Sequence, residues 1–211
     1  PGLVLDHLNA SLKQHGLWYP VDVSTSAQAT LGGMAGNNSC GSRSIAYGNM
    51  VHNVLGAKAW LSNGELLELS QFENSTGRAR QIGEFVKQLA VQHQAELQTH
   101  WPKVLRRVAG YNLDIFDNQN VRPYTPDGKV NLSHLLVGSE GTLAMTQSLT
   151  LKLSELPTNK VLGMYSAWKN IEDVNPARLK ALAHFFEHYK DLEAGKWVKV
   201  LGWEGVEAAH K

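Results

Sequence analysis

Cysteine is nearly absent from this chain: Cys40 is the only one in 211 residues. A single thiol excludes an intrachain disulfide, a thiolate zinc cluster and a self-contained iron–sulfur centre, and it points to a reducing compartment. An excess of charge is lacking as well, with 20 Lys and Arg against 19 Asp and Glu. Neither sign clusters in long runs, so nucleic acid and anionic membrane surfaces are not expected as partners. No apolar stretch reaches the roughly twenty residues that cross a bilayer. The Gly-x-Gly-x-x-Gly and P-loop Gly-Lys-Ser/Thr signatures are both missing, which removes the commoner nucleotide folds. Internal repeats and low-complexity tracts are missing too. The length suffices for one sizeable core, or for one domain plus part of another.

What is present is concentrated in residues 29–42, where Gly32, Gly33, Gly36 and Gly41 stand among Thr30, Asn37, Asn38, Ser39 and Ser42. Glycine reaches positive φ and has no Cβ, so successive amides there can converge on an anion while the short side chains add donors. The run reads as a backbone-lined seat for a phosphate-bearing cofactor. The alternative is a tight turn between packed elements.

Along the chain, Leu5, Leu8 and Leu12 recur at helical spacing ahead of Gly16, which predicts a helix over 3–15. Residues 54–70 predict two strands joined by a two-residue turn at Asn63-Gly64. A long helix is expected from a cap at Asn74 or Ser75 to about His100, with Ile82, Phe85, Val86 and Leu89 as its buried stripe and Pro102 as its stop. Residues 117–130 read as an exposed loop. Leu149, Leu151 and Leu153 alternate with polar neighbours, as in a half-buried strand. After Pro157 an apolar strand is expected over 161–168, then a helix opened by Asn175 and Pro176 that buries Leu179, Leu182, Ala183 and Phe186. The mixture, with a hairpin and no steady strand–helix–strand rhythm, favours α+β over a doubly wound parallel sheet.

Three separated segments, with a Tyr-Gly pair between the second and the third, then act together. Pro20-x-Asp22-x-Ser24 is followed by Thr30, Gly32, Gly33, Asn38 and Gly41, next by Tyr47-Gly48, and finally by Gly138-Ser139-Glu140-Gly141-Thr142-Leu143. In that order and at those intervals the set resembles the FAD-dependent D-2-hydroxy-acid dehydrogenases of the vanillyl-alcohol-oxidase superfamily, over about residues 1–165. The wording at Asn37–Ser44 is similar to the long members acting on D-2-hydroxyglutarate or D-lactate. Cys40 stands where many members carry Gly, and Met145 where Ile or Val is common.

The resemblance implies an α+β fold: the second subdomain of a PCMH-type FAD-binding domain, a mostly antiparallel sheet flanked by helices, plus the start of a cap domain. The boundary is expected at residue 157, with 1–157 the C-terminal part of the FAD-binding domain and 158–211 the beginning of the FAD-linked oxidase cap or a tail. It also implies a piece of a longer protein, with a first phosphate loop upstream and the cap's metal-binding and acid-binding groups downstream, and no activity in the piece alone. The implied cofactor is FAD. Gly32, Gly33, Asn38, Gly41 and Ser42 would face the pyrophosphate or ribityl chain, and Pro20, Asp22, Ser24 and Ser26 the isoalloxazine or ribityl part. Gly138, Glu140, Gly141 and Met145 would close over the adenosine end. Thr30, Tyr47 and Gly48 complete the candidate set. Asp22 with Ser24 could instead be a capping turn, residues 138–141 a plain turn, and Tyr47 and Tyr111 packing residues.

The implied intact enzyme oxidises a D-2-hydroxy acid to the 2-oxo acid. Hydride passes to the flavin, and the electrons leave to a separate acceptor such as a quinone, a cytochrome or an iron–sulfur protein or domain. No residue is identifiable as catalytic, and no metal ligand is assigned. The expected compartment is the cytoplasm, with association to a membrane through the acceptor left open. One rival stands apart: His184-x-x-Glu187-His188 matches the His-x-x-Glu-His pattern of inverted zinc peptidases, which puts two ligands and a base on one helical face. A solvated helix face gives the same pattern. A non-catalytic interaction module is the third possibility, and Cys40 reads as a small residue in place of glycine rather than a nucleophile.

Overall fold

The leucine spacing near the start of the chain produces helix α1, Leu5–Leu12, continued by a 3₁₀ turn at Lys13–His15 and closed by Gly16 at φ 68. In this computed structural model, residues 1–108, 110–157, 174–188, 197–204 and 208 are described. The chain divides into two units, Pro1–Leu156 and Pro157–Lys211.

In the first unit a short strand β1, Leu17–Trp18, leads to helix α2, Leu31–Asn37, and the four-residue α3, Ser44–Tyr47. A 3₁₀ turn at Met50–Asn53 delivers the chain into strand β2, Val54–Trp60, which pairs with β3, Leu66–Leu69. Helices α4, Gly77–Gln92, and α5, Gln94–His100, follow. Strand β4, Met145–Leu151, returns to the other side of β2, and β5, Ser154–Glu155, pairs with β1. Every pairing is antiparallel and the larger sheet has the order β3-β2-β4. The unit is α+β. Its core gathers Leu5, Tyr19, Val21, Met34, Met50 and Leu132 beneath the sheet residues Val54 and Ala59.

Several details differ from the sequence-based expectations. The hairpin closes through Leu61–Glu65 rather than a two-residue turn, because Leu61 donates to Glu65 O at 2.9 Å one step inside the Trp60–Leu66 pair. Gly64 still supplies the positive φ, at 82. The long helix breaks at His93, so α4 and α5 are separate. Its N-cap position is Thr76, without a side-chain cap bond, while the Ser75 hydroxyl donates to Phe72 O at 2.6 Å. The buried stripe of α4 is Ala79, Gly83, Val86 and Ala90, while Phe85 is 60% exposed. The reason is close approach: a Cβ on Gly83 would stand 2.7 Å from the Phe72 ring, so the helix turns its small-residue face inward. The loop expected to be exposed over 117–130 carries one buried ring, Tyr124.

In the second unit, helix α6, Pro176–His188, starts as expected, with Asn175 Oδ1 accepting from the Ala177 amide at 2.9 Å. None of its side chains is fully buried, but the expected stripe of Leu179, Leu182, Ala183 and Phe186 is half-buried while His184, Phe185 and His188 are exposed. The strand expected at 161–168 lies outside the described residues.

Candidate functional site

Helix α2 forms because Thr30 caps it: its Oγ1 accepts the Gly33 amide at 3.3 Å. Gly32 and Gly33 are therefore helical and not in the positive-φ conformation expected of them, and the Gly32 amide is taken by Pro1 O at 2.8 Å. The helix ends at Asn38, a buried residue at φ 50. Its side chain is also committed, with Nδ2 donating to Arg107 O at 3.2 Å and Oδ1 accepting from the Val51 amide at 3.0 Å.

That helix end meets the distant glycine turn directly. Gly138 donates its amide to Ala35 O at 2.9 Å, Glu140 donates to Gly36 O at 3.0 Å, and Asn37 Nδ2 donates to Glu140 Oε1 at 3.1 Å. Gly138 and Gly141 have φ of 86 and 73, and Glu140 shares the left-handed region at 52. The third segment joins through Asp22. Its carboxylate accepts from Ser42 Oγ at 2.8 Å and from the Arg43 amide at 3.0 Å, with the Arg43 guanidinium 3.6 Å away. Gly41 allows this approach, since a Cβ there would lie 2.1 Å from Asp22 O. Asp22 is thus tied into the 41–43 loop and is not a helix cap.

The remaining candidates are scattered. Pro20 is buried and Ser24 is exposed in the turn after Asp22. Ser26 uses its carbonyl on the Asp6 amide at 3.1 Å, at the start of α1. Tyr47 packs edge-on against Trp18 at 5.4 Å, and Gly48, at φ 80, lies against His52. Met145 is 68% exposed on β4.

Whether these groups suit a flavin dinucleotide turns on which donors are left. The amides of Gly32, Gly33, Gly41, Gly48, Gly138 and Glu140 are consumed within the protein. What fits is the lip at 140–142: nothing lies within 4 Å of where a Cβ on Gly141 would be, so a flat or chain-like group can lie against bare backbone there. Tyr111, 41% exposed, borders it through a 2.8 Å hydroxyl pair with Thr142 Oγ1. The residues present thus suit the ring and chain portions of the cofactor better than its phosphates.

Beneath the lip is a buried polar cluster that the residue pattern did not reveal. Asn112 is 0% exposed and donates to His134 O at 2.8 Å and Val137 O at 2.9 Å, while its Oδ1 accepts from Arg107. Tyr124 donates to Asp114 Oδ1 at 2.7 Å, and Arg107 lies 3.5 Å from the same carboxylate. Burial raises the Asp114 pKa above its ordinary value, opposed by Tyr124 and Arg107, and burial drives the Tyr124 phenol upward. His134, bonded through Nε2 to Val54 O at 3.1 Å, and His52 are both held down to about 4 by burial. The available signal was Asn112 and Asp114 alternating with Leu113 and Ile115, a stretch to which the sequence pattern assigned no element.

In the second unit, His184 and His188 stack at 4.1 Å and His188 Nδ1 lies 2.8 Å from His184 O. Glu187 Oε1 accepts from the Val200 amide at 3.3 Å. No group of three or more His, Cys, Asp or Glu able to hold a metal ion occurs among the described residues. The zinc reading is not favoured. No helix among the described residues is long and apolar enough to cross a membrane.

Residues 1–70 match the family model described as FAD binding domain, and residues 144–211 that described as Inorganic pyrophosphatase. The chain is 32% identical over 172 residues to the D-2-hydroxyglutarate dehydrogenase of Haemophilus influenzae, covering 76% of this chain and 16% of that protein. The Escherichia coli K12 protein of the same name is 31% identical over 164 residues, covering 74% and 16%. The Inorganic pyrophosphatase of Escherichia coli K12 is 53% identical over 72 residues, covering 33% of this chain and 40% of that protein. The flavoprotein resemblance read from the three segments is therefore found by comparison, and FAD is the cofactor that the first match names. The chain spans only 16% of the length of those dehydrogenases. The pyrophosphatase similarity was not foreseen. Its match begins before the boundary at 156, although β4 is paired into the first unit's sheet.

Proposed function

We propose that residues 1–157 are the C-terminal part, the second subdomain, of a PCMH-type FAD-binding domain in a dehydrogenase that oxidises a D-2-hydroxy acid to the 2-oxo acid. The observation that carries this is the junction of Gly138 and Glu140 with the end of α2, which unites two segments of the flavoprotein pattern. The names of the relatives favour D-2-hydroxyglutarate among the hydroxy acids. When bound, the flavin supplies the hydride acceptor. This chain's contribution is placement: Gly141 offers bare backbone, Tyr111 and Thr142 border it with hydroxyls, and Asn37 with Glu140 holds the turn against α2. Asp22, Ser42 and Arg43 hold the neighbouring loop in place. The electrons would pass to a separate acceptor.

For the C-terminal part of the chain, matched over 144–211, the 53% identity over 72 residues favours a pyrophosphatase-like segment over the cap domain expected at 158–211. Limited proteolysis should cut near Pro157, leaving 1–156 resistant; uniform digestion of both parts would contradict that division.

Titrating the purified chain with FAD and following flavin fluorescence tests the main reading, with saturable quenching as the expected result. An unchanged signal, together with stoichiometric zinc that is lost in His188→Ala, would replace it with the peptidase.

A further inference from the structure

The lip is braced from below by a short stretch of chain that meets it at successive points. Arg107 contributes its carbonyl to Asn38 Nδ2 at 3.2 Å, at the end of α2. The Gly110 carbonyl stands 3.1 Å from where a Cβ on Gly138 would be. Tyr111 meets Thr142 at 2.8 Å. Asn112 donates to Val137 O at 2.9 Å, immediately before the turn begins, and to His134 O at 2.8 Å. Its other face is fixed in turn, because Oδ1 accepts from Arg107 and, at 3.3 Å, from the Tyr124 hydroxyl.

An amide is suited to this position. Two N–H donors satisfy two buried carbonyls while one oxygen serves the guanidinium and the phenol, so every polar atom of the side chain is used. Its partners belong to both sides of the lip: Val137 leads into Gly138, and Arg107 reaches Asn38 through its carbonyl. We propose that Asn112 is a positioning residue that sets the height of the Gly138–Thr142 lip for the cofactor. It touches neither the lip's exposed surface nor any group that would react, and it acts through Val137 and the Arg107–Tyr124 pair. This rests on the flavin reading of the lip, but its local consequence, a lip held rigid by one side chain, can be observed without cofactor.

The test uses the full chain with Asn112→Asp, which turns donors toward two carbonyls into acceptors, and the milder Tyr124→Phe, which keeps the ring and removes the hydroxyl that meets Asn112. Amide exchange of Gly138 and Glu140 is compared with that of Ala57 and Ala59 in β2, and FAD affinity is measured on the same samples. Asn112→Asp loses both donated bonds and Tyr124→Phe the hydroxyl's bonds to Asn112 and Asp114, so exchange at Gly138 and Glu140 at least about tenfold faster, unchanged β2 amides and FAD bound at least about tenfold more weakly are expected. If Asn112→Asp fails to fold, Tyr124→Phe decides, with the same direction expected. Lip and β2 amides loosening together would show a general stabilising role and overturn the proposal. A loosened lip with unchanged FAD affinity would overturn the positioning role while leaving the flavin reading intact. A wild-type chain that binds no FAD, with a lip that still loosens selectively, would instead refute the flavin reading and, with it, the role assigned toward the cofactor.

Discussion

Glu140 donates its amide to the carbonyl of Gly36 at 3.0 Å, closing the last turn of α2 against a loop from the far end of the first unit. The position Cβ would take on Gly36 lies 3.7 Å from Glu140 Cα, an ordinary packing contact. Neighbouring Gly138 is more constrained, with φ 86 and the Gly110 carbonyl 3.1 Å from its Cβ position. Gly138→Ala should therefore cost about 1–2 kcal/mol through the left-handed backbone alone. It should also weaken FAD binding by displacing the lip. Urea unfolding and flavin titration measure the two effects; a variant as stable as the parent would show that the turn has room to adapt.

Acid should destabilise the first unit in a defined window. His52 and His134 fall from 6.5 to about 4 in the folded state, chiefly by burial. The unfolded chain takes up these protons from about pH 6.5 downward, and the folded chain does not until about pH 4. Stability contributed by the neutral imidazoles is thus complete above pH 6.5, lost between 6.5 and 4, and level below that. For His134 the loss amounts to about 3 kcal/mol. Asp114 opposes the trend, because its raised pKa favours the folded state below the ordinary carboxyl value and the benefit fades as pH rises through the folded pKa. Urea midpoints measured from pH 7.5 to 4 should fall, and less steeply in His134→Gln. A flat profile in the parent would contradict the burial of these rings.

Gly41 is the point at which the Asp22 loop closes. A methyl group there would stand 2.1 Å from Asp22 O and 2.2 Å from its carboxylate, so Gly41→Ala has to break the bonds to Ser42 and Arg43. A loss of about 2 kcal/mol or more is expected in urea unfolding. Ser42→Ala, which removes one exposed hydrogen bond, should cost about 0.5–1.5 kcal/mol. Equal effects of the two would mean that the loop relaxes away from Asp22.

The elements set by local rules were legible in the residues: Gly16 ends the first helix, Gly64 turns the hairpin, and Leu149 and Leu151 lie half-buried on β4. The ordered glycine and carboxylate segments pointed to the flavoprotein resemblance. What was not legible depended on partners far away in the chain. Gly32 and Gly33 looked like an anion seat, but Thr30 turns the segment into a helix and Pro1 takes one of its amides. Phe85 fitted the helical period, yet contact between Gly83 and Phe72 decided which face went inward. Tyr124 fell in the loop expected over 117–130, and Asn112 and Asp114 matched no motif or period, because composition reports turns and not the tertiary contacts that bury these side chains. The pyrophosphatase similarity over 144–211 left no motif that was recognised beforehand, and the His-x-x-Glu-His pattern drew attention there instead.

The most direct measurement of the central claim is amide exchange on the full chain with and without saturating FAD. Added protection concentrated at 36–43 and 138–142 is predicted, since these segments form one surface through the Gly36–Glu140 and Ala35–Gly138 contacts. Protection confined to α6, or none at all at any FAD concentration, would contradict it.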